Sequence, residues 1–246
     1  TDEVGQERWI FWGALGRYLV GRFDGEAFVP ETEATVCEYG AHGYAAQTWS
    51  NVPDGRTLQI SWMAGGLFPE MPFNQQLSIP VELTLTGSGS DVALARNPVR
   101  ELTSLRTRSI IEPDQTLKRG GSIRPDTKCP LLDVSFVVQP GDAEALHAVI
   151  RGQLARFDWK KRELTFTKPG NKVMGDGGTV PLPTTDQIAV QMIIDKTSME
   201  VFINDGQTSA SFCYLPDGHI HVFELTNWYG DQRIEEFELH ELASIW

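Results

Sequence analysis

Two acidic residues, Asp195 and Glu200, lie close together in the stretch QMIIDKTSMEVFINDG, residues 191–206. Paired carboxylates can serve as nucleophile and acid in the hydrolysis of a glycosidic bond. The surrounding pattern assigns this pair to structure instead. Asp195 ends the apolar run Met192-Ile193-Ile194, and Glu200 sits where Met199, Val201 and Ile203 alternate with Glu200, Phe202 and Asn204. His219 and His221 flank one residue on an expected strand and would point the same way, as two zinc ligands do, but no third ligand is evident. Gly175-Asp176-Gly177-Gly178 reads as a turn, because no Gly-Lys-Ser/Thr follows to make a phosphate cradle. Cys37, Cys129 and Cys213 are scattered and odd in number, which argues against a disulfide framework and a structural zinc site.

The elements that would carry these residues are nearly all strands. The opening stretch is a hairpin whose Asn204-Asp205-Gly206 tolerates positive φ. Residues 9–29 give a strand from Trp9, a turn at Gly16-Arg17, a second strand through Tyr18, Val20 and Arg22, and a turn at Asp24-Gly25. Residues 38–85 give strands at 44–49, 57–63 and 77–85. Asn97 and Pro98 suit the cap and first position of a short helix with Val99, Leu102 and Leu105 on its apolar side. After Thr107 the alternation returns, as in Leu132, Val134, Phe136 and Val138, and it continues to Ile234–Leu242. Many short strands between turns predict a two-sheet sandwich. The chain has 246 residues, room for one large or two modest domains. A net charge of -12 argues against a nucleic-acid or anionic-membrane partner. No apolar run is long enough to span a bilayer. No leader sequence is recognisable, and the chain opens on Thr1.

The wording of three stretches carries a resemblance. IDKTSMEVFINDG resembles the I-D-x-x-S-x-E-V-F-x-N-D-G segment in the C-terminal β-sandwich of glycoside hydrolase family 32, the invertases, levanases and inulinases. WIFWGALGRYLVGRFDGEAF is similar to that family's fourth propeller blade. EYGAHGYAAQT, SWM and LSIPVEL are similar to the next blade, and MPFNQQ resembles a fructan-degrading subgroup more than the invertases. The resemblance implies an all-β chain: the last blades of a five-bladed β-propeller over residues 1–95, a linker helix over 96–106 and a β-sandwich over 107–246.

The same resemblance implies cleavage of β-fructosyl bonds in levan, inulin or sucrose with retention, and no metal or cofactor. Retention needs two carboxyl groups roughly 5–5.5 Å apart. The family draws them from N-D-P-N-G and E-C motifs, with a stabilising Asp from R-D-P. None is present here: Arg124-Pro125-Asp126 and Cys37-Glu38 have the letters reversed. No catalytic residue is therefore expected in this chain, which should be inactive without further N-terminal blades, supplied in cis or by a second chain. A non-catalytic carbohydrate-binding or structural module derived from such an enzyme is the alternative. The resemblance also implies four sugar-contacting positions. Tyr44 matches a funnel-facing Tyr, and Glu38 and His42 stand where the family has Asp. Gly66 replaces a wall Trp, so that Phe73 or Phe68 fills the gap unless both are packing residues. For Glu38, a solvated or turn-bonding carboxylate is the alternative.

Overall fold

The computed structural model describes residues 1–66, 68–69, 71–167, 178–217 and 221–245. His219, Ile220 and residues 175–177 lie outside that set, and with them the histidine pair and most of the glycine-rich run.

Two small antiparallel sheets come first. One holds β1 (Trp9–Trp12), β2 (Arg17–Phe23) and β3 (Phe28–Pro30) in that order, with β4 (Thr35–Val36) also paired to β2. The other runs β5 (Gly43–Thr48), β6 (Thr57–Met63), β8 (Val81–Thr86), β9 (Ala93–Pro98), and β7 (Gln76–Leu77) joins β6. The expected strand over 77–85 is divided because Pro80 has no N–H to give a ladder; Ser78 N–H bonds Ser61 O instead. The sheets pack through Tyr18, Val20, Cys37, Val92 and Leu94. The Tyr18 hydroxyl accepts Leu94 N–H at 3.1 Å, tying the inner strand of one sheet to the last strand of the other.

Pro98 does not begin a helix. It ends β9, in register with Val81, while Asn97 and Arg96 pair with Glu82 and Leu83. The residue before a proline is pushed to extended backbone, and Pro is tolerated on an edge strand such as β9. Only Arg100–Leu105 coils, as a 3-10 helix entered from Val99 without a side-chain cap. The linker helix expected from residue 96 is therefore corrected to this single turn-like element.

The rest is a two-layer sandwich. The strands are β10 (Arg106–Glu112), β11 (Gln115–Leu117), β12 (Ser122–Ile123), β13 (Leu132–Gln139), β14 (Ala145–Ile150), β15 (Gln153–Asp158), β16 (Glu163–Thr167) and β17 (Val180–Pro181). They continue with β18 (Ile188–Ile194), β19 (Ser198–Ile203), β20 (Thr208–Cys213), β21 (Phe223–Asn227) and β22 (Gln232–Leu242). One layer has the order β10-β22-β13-β18-β19-β20 with β11 on β22; the other is β12-β21-β14-β15-β16-β17. Their inner faces meet in one core, where Phe136 packs with Phe157 and Phe237. The three cysteines are free thiols.

β19 alternates as expected, yet all six of its residues are buried. Met199, Val201 and Ile203 point into the sandwich core. Phe202, on the opposite face, packs with Ile193 and Val81 against the second small sheet. The face that would meet water in an isolated sandwich is covered by the neighbouring domain.

Candidate functional site

The segment Cys37–His42 leaves the first small sheet and runs alongside β20, the edge strand of the seven-stranded layer. Glu38 and Ser209 form a parallel bridge. Ser209 N–H bonds Cys37 O at 2.8 Å, Tyr39 N–H bonds Ser209 O at 2.8 Å, and His42 N–H bonds Ser211 O at 3.2 Å. An unpaired sheet edge is a template for association; here the small-sheet domain supplies the missing strand.

Glu38 and Arg96 are the charges at the centre of this junction. They form a direct ion pair, and their side chains are 2% and 1% exposed. Arg96 also donates to Gln59 Oε1 at 3.1 Å, Ser61 Oγ at 3.3 Å and Ser209 Oγ at 2.7 Å. Its guanidinium lies 5.5 Å from the centre of the Trp12 ring. Glu38 Oε1 accepts Ser211 N–H at 2.8 Å and Gly40 N–H at 3.2 Å. One cation thus touches both small sheets and the sandwich, with its carboxylate partner fully bonded.

Two expected sugar contacts are corrected by this arrangement. Glu38 is neither solvated nor pocket-facing, because its oxygens are spent on Arg96, Ser209, Ser211 and Gly40. His42 is buried too, and its Nδ1 accepts Cys213 N–H at 3.1 Å. The proton of the neutral ring therefore sits on Nε2, and burial holds its pKa below the ordinary histidine value. Gly66 does not open a wall either. A Cβ there would lie 3.0 Å from Cys213 Sγ and 3.1 Å from the Phe68 ring. Phe68 belongs to a small core with Met63 and Cys213, whereas Phe73 stands outside it, ring edge against Phe68 at 5.8 Å.

Tyr44 is where an exposed ligand-facing residue was expected. It lies on β5 opposite Trp62 of β6, and the rings meet edge-to-face at 5.8 Å. Both are exposed. Beyond Tyr44, Ala45 takes φ 48° and the register slips before Gln47. Such a bulge re-aims the side chains beside it. Trp62 lies in the strand expected over 57–63, and its place across from Tyr44 in the register reveals the pair. Paired aromatics with open faces suit the C–H surface of a sugar ring, and the Tyr44 hydroxyl adds a hydrogen bond.

Glu200 is the second buried carboxylate of the junction. Its Oε1 accepts Ile79 N–H at 2.7 Å. Burial pushes its pKa up to about 8, against the lowering effect of that bond, and nearby Glu38 adds to the rise. Asp195 is exposed at the far end of the hairpin, so the two acids of the motif are not a working pair. Among the described residues no cluster of His, Cys, Asp and Glu is placed to hold a metal ion.

Comparison with known proteins follows the same two-part division. Residues 14–98 match the model of the glycosyl hydrolases family 32 N-terminal domain, and residues 101–241 match that of the family 32 C-terminal domain. A levanase of Bacillus subtilis is 28% identical over 287 aligned residues, covering 98% of this chain and 41% of the levanase. A sucrose-6-phosphate hydrolase of Zymomonas mobilis is 27% identical, covering 79% of this chain and 40% of the hydrolase. The chain thus spans less than half the length of these curated relatives. In solved structures the fold is shared with the exo-inulinase of Aspergillus awamori, at TM-score 0.77 and 20% identity over 94% of this chain and 50% of that one. It is shared as well with a β-fructofuranosidase of Schwanniomyces occidentalis, at TM-score 0.78 and 19% identity over 93% and 53%.

Proposed function

The chain belongs to glycosyl hydrolase family 32, and we propose that it forms the later propeller blades and the β-sandwich of a hydrolase acting on β-fructosyl bonds in levan, inulin or sucrose. The observation that carries this reading is the likeness of 98% of the chain to a levanase. In this reading the two small sheets are the fourth and fifth blades of a five-bladed propeller. Tyr44 and Trp62 form part of the substrate wall: their rings hold the apolar face of a fructosyl unit, and the Tyr44 hydroxyl fixes its orientation. Phe73, exposed and edge-on to Phe68, is a further proposed sugar contact.

The acid and the nucleophile of a retaining mechanism would come from other blades. Both act on one anomeric carbon and must sit roughly 5–5.5 Å apart. Glu38, the carboxylate nearest Tyr44 in the sequence, is held inside the domain junction by Arg96. The first sheet offers a face for those blades: Trp9, Phe11 and Phe23 are exposed on one side of it, with Trp9 edge-to-face on Phe23 and Phe11 tilted against Phe28. An apolar face of this kind is a docking surface for a further sheet, in cis or from a second chain.

The test is fructose release from levan, inulin and sucrose by the 246-residue chain, alone and joined to the N-terminal blades of a family member. Turnover by the joined protein and none by the chain alone is expected. Turnover by the chain alone would overturn the division of labour. Binding without turnover in the joined protein would leave a non-catalytic carbohydrate module as the function.

A further inference from the structure

The small sheets join the sandwich through β19 and β20 of the seven-stranded layer, and β14 lies in the other layer. On β14, Leu146, Ala148 and Ile150 point into the core and His147 points outward. Its neighbours across the sheet are Arg156 on β15 and Thr226 on β21. Arg156 donates to His147 Nε2 at 3.0 Å and to Asp158 Oδ2 at 3.1 Å. An arginine can only donate, so His147 Nε2 accepts and its Nδ1 carries the proton, without a hydrogen-bond partner among the described residues. Just past β21, Trp228 places its ring 6.2 Å from that of His147. Tyr229 follows, with the Arg119 guanidinium 5.6 Å from its ring centre. Trp228 and Tyr229 are 55% and 48% exposed.

Exposed aromatics on a loose loop would mean little, but this loop is fixed on both sides. Asn227 is fully buried and donates to Leu117 O at 2.7 Å and Gly230 O at 2.9 Å. Glu144 N–H bonds Tyr229 O at 3.2 Å. Gly230 takes φ 72°, and a Cβ there would lie 2.5 Å from Asp142 O. The backbone that carries the two exposed rings is pinned by these contacts. Rigid presentation lowers the entropy lost on binding.

We infer that Trp228 and Tyr229, with the donors of His147 and Arg156, form a second carbohydrate-binding surface, distinct from the Tyr44–Trp62 face. A sugar ring has an apolar C–H face for the indole and a rim of hydroxyl oxygens for the N–H donors. The surroundings, Thr226, Thr165 and Asp158, are polar and match a hydroxylated ligand better than an apolar protein surface. The net charge of -12 disfavours a polyanion. A fructan as the ligand rests on the function proposed above. Its binding here would hold polymer near the enzyme without taking part in cleavage.

The experiment is affinity electrophoresis of the chain through gels containing levan, inulin or dextran, with Trp228→Ala, Tyr229→Ala and the control Ile111→Ala beside the parent. Retardation by levan or inulin that is about fivefold weaker in Trp228→Ala and unchanged in Ile111→Ala, an exposed site on the other layer, is expected. Retardation by dextran alone, lost in Trp228→Ala, would keep the surface and remove the fructan reading. Equal retardation of parent and Trp228→Ala, or none of the parent by any polymer, would overturn the proposal. Self-association in sedimentation that Trp228→Ala abolishes, with no change in the gels, would overturn it in favour of a contact between copies. The conservative Trp228→Phe should recover most of the binding.

Discussion

Arg96, on β9 of the second small sheet, and Glu38, on the segment that leaves the first, pair directly with each other and are closed over by Ser209 of the sandwich. The pair is a three-way joint. Removing one partner of a buried ion pair leaves the other charged and dry, at about 3–5 kcal/mol. Arg96→Ala and Glu38→Ala should each lose roughly that much in urea unfolding. Arg96→Lys should recover little, because a single ammonium cannot reach Gln59, Ser61, Ser209 and Glu38 together. A loss below about 1 kcal/mol for either alanine variant would mean that the joint tolerates water.

Glu200 makes the same junction sensitive to pH. Its folded pKa of about 8 lies above the ordinary carboxylate value, so the folded state holds a proton that the unfolded chain releases. The associated stability is full below about pH 4, falls as pH rises, and is gone above about pH 8. Glu200→Gln keeps the acceptor for Ile79 N–H and removes the titration. Urea midpoints from pH 5 to 9 should fall for the parent through this window and be flatter for Glu200→Gln. Parallel curves would show that Glu200 is ionised in the folded protein.

Gly206 is where the Asn204-Asp205-Gly206 turn meets β9. It takes φ 76°, and its carbonyl accepts Arg96 N–H at 2.9 Å. A Cβ there would lie 2.0 Å from Arg96 O. Gly206→Ala should destabilise by more than about 1 kcal/mol and loosen the joint, read as faster amide exchange at Arg96. An unchanged melting temperature would count against this contact.

Phe136 is 2% exposed between the layers. Phe136→Ala should cost about 3–5 kcal/mol, measured by chemical unfolding. A cost below about 1 kcal/mol would mean that the cavity collapses almost completely.

Tyr44→Ala and Trp62→Ala remove opposite halves of an exposed ring pair. Each should leave folding nearly unchanged and weaken fructan binding in the completed enzyme, by about 0.5–1.5 kcal/mol. The readout is a raised KM. A fall in kcat with KM unchanged would place the pair at the reacting carbon instead.

The strands were legible because alternation and turn residues are local signals. The exposure of Tyr44 agrees with the family motif that puts a tyrosine on the funnel side; its contact with a sugar is part of the proposal. Glu38 and His42 were misread through the same motif. Their burial depends on Ser209, Ser211 and Cys213, which lie far along the chain and bear no pattern that names a partner. β19 shows the same limit in another form: the alternation of Glu200 and Phe202 marks a second face, but only the docked sheet reveals that this face is dry. At Pro98, a cap signal lost to the ladder between β8 and β9, because Asn97 before a proline is extended.

The strand-like segment Cys37–His42 and the edge it covers also differ in when they are made. Cys37 precedes Ser209 by 172 positions. At about 5–20 residues per second, a ribosome needs about 9–34 s to travel between them. Arg96, only 58 positions after Glu38, arrives early enough to capture that carboxylate first. By the time β20 leaves the exit tunnel, the segment that will pair with it has already been synthesised and its charge has a partner. The cover exists before the edge, so β20 emerges to a waiting template while β21 and β22 are still to be made.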